Sequence, residues 1–138
     1  EVCKMRILVM GLPGSGKTTI STKLARQTGF THLNADEVRK QYDDWDFSPS
    51  GRRRQAERMA NLSENGNFIL DFVCPRPRFI DLVKPDYVIW MDTITESRFE
   101  DTNAMFMEPR KYNIRIENFQ YDFTYVLWKL ESDLLLKQ

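Results

Sequence analysis

A glycine-rich segment near the start of the chain carries the clearest chemistry in the sequence. Residues 11–18 match the phosphate-binding pattern G-x-x-x-x-G-K-[ST] at every fixed position. In this pattern the glycines let backbone N–H groups close around phosphate oxygens, the lysine bridges the β- and γ-phosphates, and the next hydroxyl binds Mg²⁺. We therefore expect ATP and Mg²⁺ here, with Lys17 also catalytic and Thr18 a metal ligand. The predicted nucleotide-binding residues are Gly11, Pro13, Gly14, Ser15, Gly16, Lys17, Thr18 and Thr19.

Three aspartates follow predicted strands and are candidates for the rest of the chemistry. Asp71 comes directly after the apolar residues 68–70, which is typical of a Walker B carboxylate that holds Mg²⁺, although an ordinary turn acid is the alternative. Asp36 precedes Arg39 on the next helical turn, and we interpret it as a general base, as a helix cap, or as both. Which of the two aspartates dominates metal binding stays open. Asp92 is more typical of a residue that starts a turn.

Two groups of arginines are further candidates for the site. The run 52–54, together with Arg58, is interpreted either as a solvated helix face or as a site for an anionic substrate. Arg76 and Arg78, just beyond the Asp71 strand, allow the same two interpretations. The single histidine, His32, falls within a predicted strand and is assigned no role.

Alternating strands and helices are predicted to position these residues. Strands are expected at 6–10, 30–34, 68–70, 86–91 and 113–116, and helices from the glycine loop to Gly29 and over 36–42, 52–64 and 122–136. Residues 43–51 are expected to form a loop, and residues 75–83 a loop with a short helix. Residues 100–112 show no regular spacing of apolar residues that would indicate a helix or a strand. The alternation predicts an α/β fold of three layers, with a parallel sheet between helices. Ligands bind such sheets at the carboxyl ends of the strands, where the candidate residues fall.

Composition limits the class of protein. The chain has 138 residues with a formal net charge of 0, so we expect one domain over 1–138 and no general affinity for nucleic acid. Only His32 could join Cys3 and Cys74 as a metal ligand, which supports neither a disulfide framework nor a zinc site. No stretch approaches about 18 apolar residues, so no membrane segment and a cytoplasmic location are expected. The chain opens with Glu1 rather than methionine, which leaves open whether residues precede it.

Five segments of the chain resemble, in the same order along the sequence, motifs of the adenylylsulfate kinase family. That family has a similar phosphate loop, a leucine-aspartate-glycine-aspartate-asparagine-valine-arginine segment, paired arginines before a glutamate, and a phenylalanine-isoleucine-serine-proline segment. The matching positions here are 11–20, 33–39, 47–48, 53–57 and 72–75, within the span 6–98.

The resemblance implies particular roles. Asp36 falls on the catalytic aspartate that deprotonates or orients the attacking hydroxyl, and Arg39 on an arginine that binds the acceptor. Phe47 corresponds to a phenylalanine that stacks on the acceptor adenine, and Arg53 to a substrate-binding arginine. Cys74 stands at the serine of the fourth motif and is grouped with the acceptor-binding residues.

The resemblance ends near Arg98, which lies close to the family's lid arginine and is given a catalytic role. Beyond it the lysine-glycine-leucine-tyrosine lid is absent, and Asn34, Ala35 and Glu37 depart from the acidic segment. The lid is therefore expected to be divergent.

The function implied is transfer of the ATP γ-phosphate to the ribose 3′-hydroxyl of adenylylsulfate, within sulfate assimilation. The alternatives are a kinase for another acceptor, such as a nucleic-acid 5′-hydroxyl or a small metabolite, and an ATP-binding module without catalysis. A small nucleotide is the expected partner. The neutral net charge argues against nucleic acid as a partner, but the arginine run 52–54 keeps that alternative open. Whether the chain forms a homodimer also stays open.

Overall fold

The computed structural model describes residues 4–136, except for the side chain of Leu136. The elements in chain order are β1 (Met5–Met10), α1 (Lys17–Thr28), β2 (Thr31–Asn34), α2 (Ala35–Tyr42), α3 (Pro49–Leu62), β3 (Asn67–Asp71), α4 (Pro77–Val83), β4 (Tyr87–Met91), α5 (Glu100–Met105), β5 (Ile114–Ile116) and α6 (Phe123–Leu136). In this part of the chain no helix is both long enough and apolar enough to cross a lipid bilayer.

The five strands form one sheet in the order β2-β3-β1-β4-β5, with every neighbouring pair parallel. Side chains of β1 and β4 alternate between two cores. Leu8 and Trp90 pack with residues of α2, α3 and α4, whereas Val9 and Ile89 pack with α1 and α6. The three-layer parallel architecture predicted from the sequence is thus confirmed.

The register brings the predicted site residues to one edge. Asp71 pairs with Val9 on one side and with Asn34 on the other, so the ends of β1, β2 and β3 lie side by side. The glycine loop follows β1 directly, and α2 follows β2 without a connecting loop. The polar residues after these three strands therefore face a common space.

Several predicted boundaries were wrong for identifiable physical reasons. The N-cap of α2 is Asn34, whose Oδ1 accepts a hydrogen bond from Glu37 N, so Asp36 lies inside the first turn instead of capping it. Helix α3 begins at Pro49 because Ser48 caps it and proline suits the first helical position, which shortens the predicted loop 43–51. It ends at Leu62, before the predicted stop.

Two further regions differ from the sequence expectations. Residues 100–105 form the short helix α5, although they show no helical period. Cys74 lies fully buried in the core cluster of α3 and α4, with a left-handed φ of 48°, and burial raises the pKa of its thiol well above the usual range. Cys3 lies outside the described residues.

Candidate active site

The backbone of the glycine loop adopts conformations that favour glycine. Gly11, Gly14 and Gly16 have φ values of 151°, 85° and 95°. A Cβ on Gly11 would lie only 2.6 Å from Met91 O. Gly16 caps α1 without any side-chain hydrogen bond, so the first amides of that helix are left for an anion.

Lys17 is held beside this loop. Its Nζ donates to Leu12 O at 3.0 Å, and the residue is only 9% exposed. Burial lowers the pKa of Lys17, while the charges of Asp71 and Asp36 oppose that shift. The ammonium group therefore lies beside the loop, where the charges of both predicted carboxylates act on it.

Asp71 is the centre of the polar cluster. Its Oδ2 accepts three hydrogen bonds, from Thr18 Oγ1 at 2.8 Å, Asn34 Nδ2 at 2.9 Å and His32 Nε2 at 3.0 Å. Burial by itself would raise the pKa of Asp71, but these hydrogen bonds and the Lys17 charge bring it below its ordinary value. The carboxylate is therefore ionised at neutral pH.

The donor set suits Mg²⁺. This ion prefers oxygen ligands and is usually held by one or two side chains, with phosphate oxygens and water completing its shell. Thr18 and Asp71 provide a hydroxyl and a carboxylate 2.8 Å apart beside the glycine loop. Residues 4–136 contain no cluster of three histidine, cysteine or acidic side chains that would form a metal site without phosphate.

His32 is a site residue that the sequence interpretation missed. It lies two positions before Asn34 on β2, so both side chains point to the same face of the strand. Parallel pairing with β3 then brings both within hydrogen-bond distance of Asp71. The i, i+2 spacing was visible in the sequence, whereas the neighbour of β2 was not.

A cavity of about 1060 Å³ opens beside this cluster. Its polar part includes Lys17, Thr18, Asp36 and Asp71. The rest of its lining is rich in aromatic rings, namely Trp45, Phe47, Phe72, Phe99, Phe119, Tyr121 and Phe123. The cavity therefore combines a polar end with extensive surface for flat or apolar groups.

Two buried arginines support one aromatic part of the cavity. Arg39 Nη1 donates to Asp44 O at 2.9 Å and to Asp46 O at 3.2 Å, and its Cζ lies 4.3 Å from the Phe47 ring centroid. Arg52 donates to Phe47 O at 2.8 Å, and its Cζ is 5.3 Å from the same centroid. Burial lowers the pKa of both arginines. Both guanidinium groups thus hold the loop that carries Phe47.

The remaining predicted residues are distributed unevenly. Pro13, Thr19 and Arg98 line the cavity, whereas Gly11 and Ser15 are buried and are not part of its lining. Arg98 is exposed, with its Cζ 5.0 Å from the Phe99 ring centroid.

Two predicted acceptor contacts do not reach the cavity in this conformation. Arg53 points to solvent, with its Nε 3.7 Å from Glu57 Oε1, and its neighbour Arg52 lines the cavity instead. Cys74 is enclosed in the core.

Comparisons with known proteins give a family match and a curated relative for part of the chain. A family model described as an AAA domain matches residues 7–74, the stretch from β1 to just beyond Asp71. A curated cytidylate kinase from Methanoregula boonei is 54% identical over 37 residues, which is 27% of this chain and 20% of that protein. The chain therefore spans about a fifth of the length of this relative.

Solved kinases share the fold over nearly the whole chain. The Mycobacterium tuberculosis APS kinase, in complex with AMPPNP and APS, superposes with a TM-score of 0.74 at 15% identity and full coverage of both chains. Shikimate kinase from Aquifex aeolicus superposes with a TM-score of 0.70 at 19% identity, covering 95% of this chain and 99% of that one. At these identities the likeness concerns the fold alone.

Proposed function

We propose that this chain, which has the fold of phosphate-loop kinases, is an ATP-dependent phosphotransferase. The observation that carries the proposal is that Lys17, Thr18, Asp36 and Asp71 line one cavity beside the glycine loop. These groups are the ones that phosphoryl transfer to an alcohol requires.

The nucleotide part of the mechanism follows from the loop. Its backbone amides and the first turn of α1 would hold the phosphates, and Lys17 would neutralise charge on the β- and γ-phosphates. Thr18 and Asp71 would hold Mg²⁺, which when bound neutralises charge on the transferring group. Lys23 Nζ lies 5.6 Å from the Phe123 ring, and Phe119 lies beside Gly16, so this aromatic surface is close to the loop. We assign it to the nucleotide base.

Asp36 acts on the acceptor. It is exposed in the first turn of α2, and its charge opposes the lowering of the pKa of both Lys17 and Arg39. In the proposed reaction the carboxylate accepts the proton of the acceptor hydroxyl or orients that hydroxyl toward the γ-phosphorus. Arg98, exposed at the cavity, balances the negative charge that spreads over the transferring phosphoryl oxygens.

Adenylylsulfate is the acceptor that we propose first. Phe47 presents an exposed ring that is flanked by the guanidinium groups of Arg39 and Arg52. Trp45 is also about half exposed in the same cavity. A ligand with a flat ring and an anionic group would match both features.

The test is transfer of labelled γ-phosphate from ATP to a panel of acceptors. The panel contains adenylylsulfate, cytidylate, shikimate and an oligonucleotide with a free 5′-hydroxyl. We expect labelled product with adenylylsulfate. Product with another member alone would replace the acceptor and retain the kinase. ATP binding without acceptor-dependent ADP release across the panel would overturn the proposed catalysis and favour a binding module.

A further inference from the structure

We propose that His32 is a positioning residue, which fixes the Asp71 carboxylate in the orientation needed to bind Mg²⁺ together with Thr18. The inference rests on the proposed function, because it concerns the metal that accompanies ATP. It assigns a role to the one histidine of the chain, at a position for which the sequence resemblance implies none.

The contact is directional. An ionised carboxylate only accepts hydrogen bonds, so the hydrogen between the two groups is carried by His32 Nε2. The distance from Nε2 to Asp71 Oδ2 is 3.0 Å, the His32 side chain is 21% exposed and the Asp71 side chain 2% exposed. A charge-assisted bond in such a dry position is stronger than one in water.

The contact also limits rotation. The last torsion of an aspartate side chain has broad minima, so packing alone orients a carboxylate poorly. Here three donors converge on Oδ2, and no hydrogen bond from residues 4–136 reaches Oδ1. The carboxylate is thus held by one oxygen, and the other is left for a further ligand.

Asn34 and His32 contribute differently to this arrangement. Asn34 Oδ1 accepts the hydrogen bond from Glu37 N that caps α2, so the position of its amide is set by the helix. Its Nδ2 also lies 3.5 Å from Thr18 Oγ1. His32 reaches Asp71 from the interior of β2 and has no capping duty. It is therefore the donor that can be removed without disturbing a helix end.

The experiment measures binding rather than turnover. Calorimetric titration with AMPPNP, without acceptor, gives the affinity in the presence and absence of Mg²⁺, and the ratio of the two is the gain due to the metal. For His32→Ala we expect this gain to fall about tenfold, as is typical when a residue that orients a metal ligand is lost. The affinity measured without Mg²⁺ should stay at the wild-type value, which also verifies folding.

Two further variants make the result specific. In His32→Gln the side-chain amide keeps an N–H donor near the place of Nε2, so most of the gain should return. Thr31→Ala changes an exposed side chain on the same strand and should behave as wild type.

The outcomes separate this inference from the proposed function. A wild-type gain in His32→Ala, or an equal loss in His32→Ala and His32→Gln, would overturn the positioning role while the kinase proposal stands. A wild-type protein that gains nothing from Mg²⁺ would overturn both.

Discussion

At the scale of single residues, Arg52 and Arg53 show how strongly helix phase decides a role. Arg52 is 5% exposed, donates to Phe47 O and to Thr102 Oγ1, and lines the cavity. Arg53 is exposed and pairs only with Glu57 among the described residues. Exposed pairs of this kind contribute less than about 1 kcal/mol to stability.

We therefore predict that Arg52→Ala raises the KM for the acceptor about tenfold or more, equivalent to about 1.4 kcal/mol. The reason is that Phe47 loses both a backbone hydrogen bond and a neighbouring charge. The matched variant Arg53→Ala should leave this KM near the wild-type value. Steady-state kinetics with the acceptor that turns over provides the measurement. A larger increase in KM for Arg53→Ala than for Arg52→Ala would instead support Arg53 as the residue that binds the acceptor.

At the scale of elements, the loop between α2 and α3 is held mainly by charge. Asp44 accepts two hydrogen bonds from Arg54, at 2.9 and 3.0 Å, and one from Arg58 at 2.7 Å. These arginines keep the pKa of Asp44 well below its ordinary value. Two arginines of the basic group seen in the sequence, Arg54 and Arg58, thus pair with a carboxylate of the same chain.

This contact has a pH dependence of defined sign. A depressed pKa in the folded state contributes stability that is complete above the unfolded pKa of about 3.9 and is lost progressively as the pH falls from that value through the lower folded-state pKa. Asp44→Asn should therefore be less stable than wild type at pH 7, and the difference should shrink as the pH falls through the acid range. Urea unfolding at pH 7 and pH 3 measures it. A difference that grows on acidification would contradict the assignment.

The same loop packs against the first turn of α3. A Cβ on Gly51 would lie 2.1 Å from Asp46 O and 2.5 Å from Asp46 Cγ, so Gly51→Ala must displace the loop. We expect a loss of about 1–3 kcal/mol of stability and a higher KM for the acceptor, because Trp45 and Phe47 move with the loop. The Kd for ATP should stay unchanged, since the glycine loop lies elsewhere in the cavity.

Thermal unfolding and binding titrations provide the two measurements for this variant. Ser50→Ala is the matched control, because it alters the same turn at an exposed position. Equal changes in the acceptor KM and the ATP Kd would show that the loop does not belong to the acceptor side.

At the scale of the whole molecule, the parallel sheet explains what the sequence could predict. The strand, glycine loop and helix at residues 6–29 are specified by local pattern, and the confirmed three-layer fold follows from alternating elements. The strand-end positions of Asp36 and Asp71 follow from the same pattern. These features depend on residues that are close in the sequence, and periodicity reports on such residues.

The features that escaped prediction depend on contacts between distant segments. His32 reaches Asp71 only because β2 pairs with β3, and a residue 39 positions away cannot be inferred from periodicity. Arg52, and not Arg53, lines the cavity because it shares the buried face of α3 with Ala56 and Met59. Cys74 turned into the core through a left-handed backbone angle that a cysteine rarely adopts.

We propose that the ends of β1, β2 and β3 assemble one centre for phosphoryl transfer, in which Asp36 acts on the acceptor. A single-turnover measurement of γ-phosphate transfer in Asp36→Asn tests this role, with Glu37→Gln as the matched control on the same helix turn. We predict a rate about 10²–10⁴-fold below wild type for Asp36→Asn, an unchanged Kd for Mg²⁺·AMPPNP, and a wild-type rate for Glu37→Gln. Transfer by Asp36→Asn at the wild-type rate would show that Asp36 does not act on the acceptor.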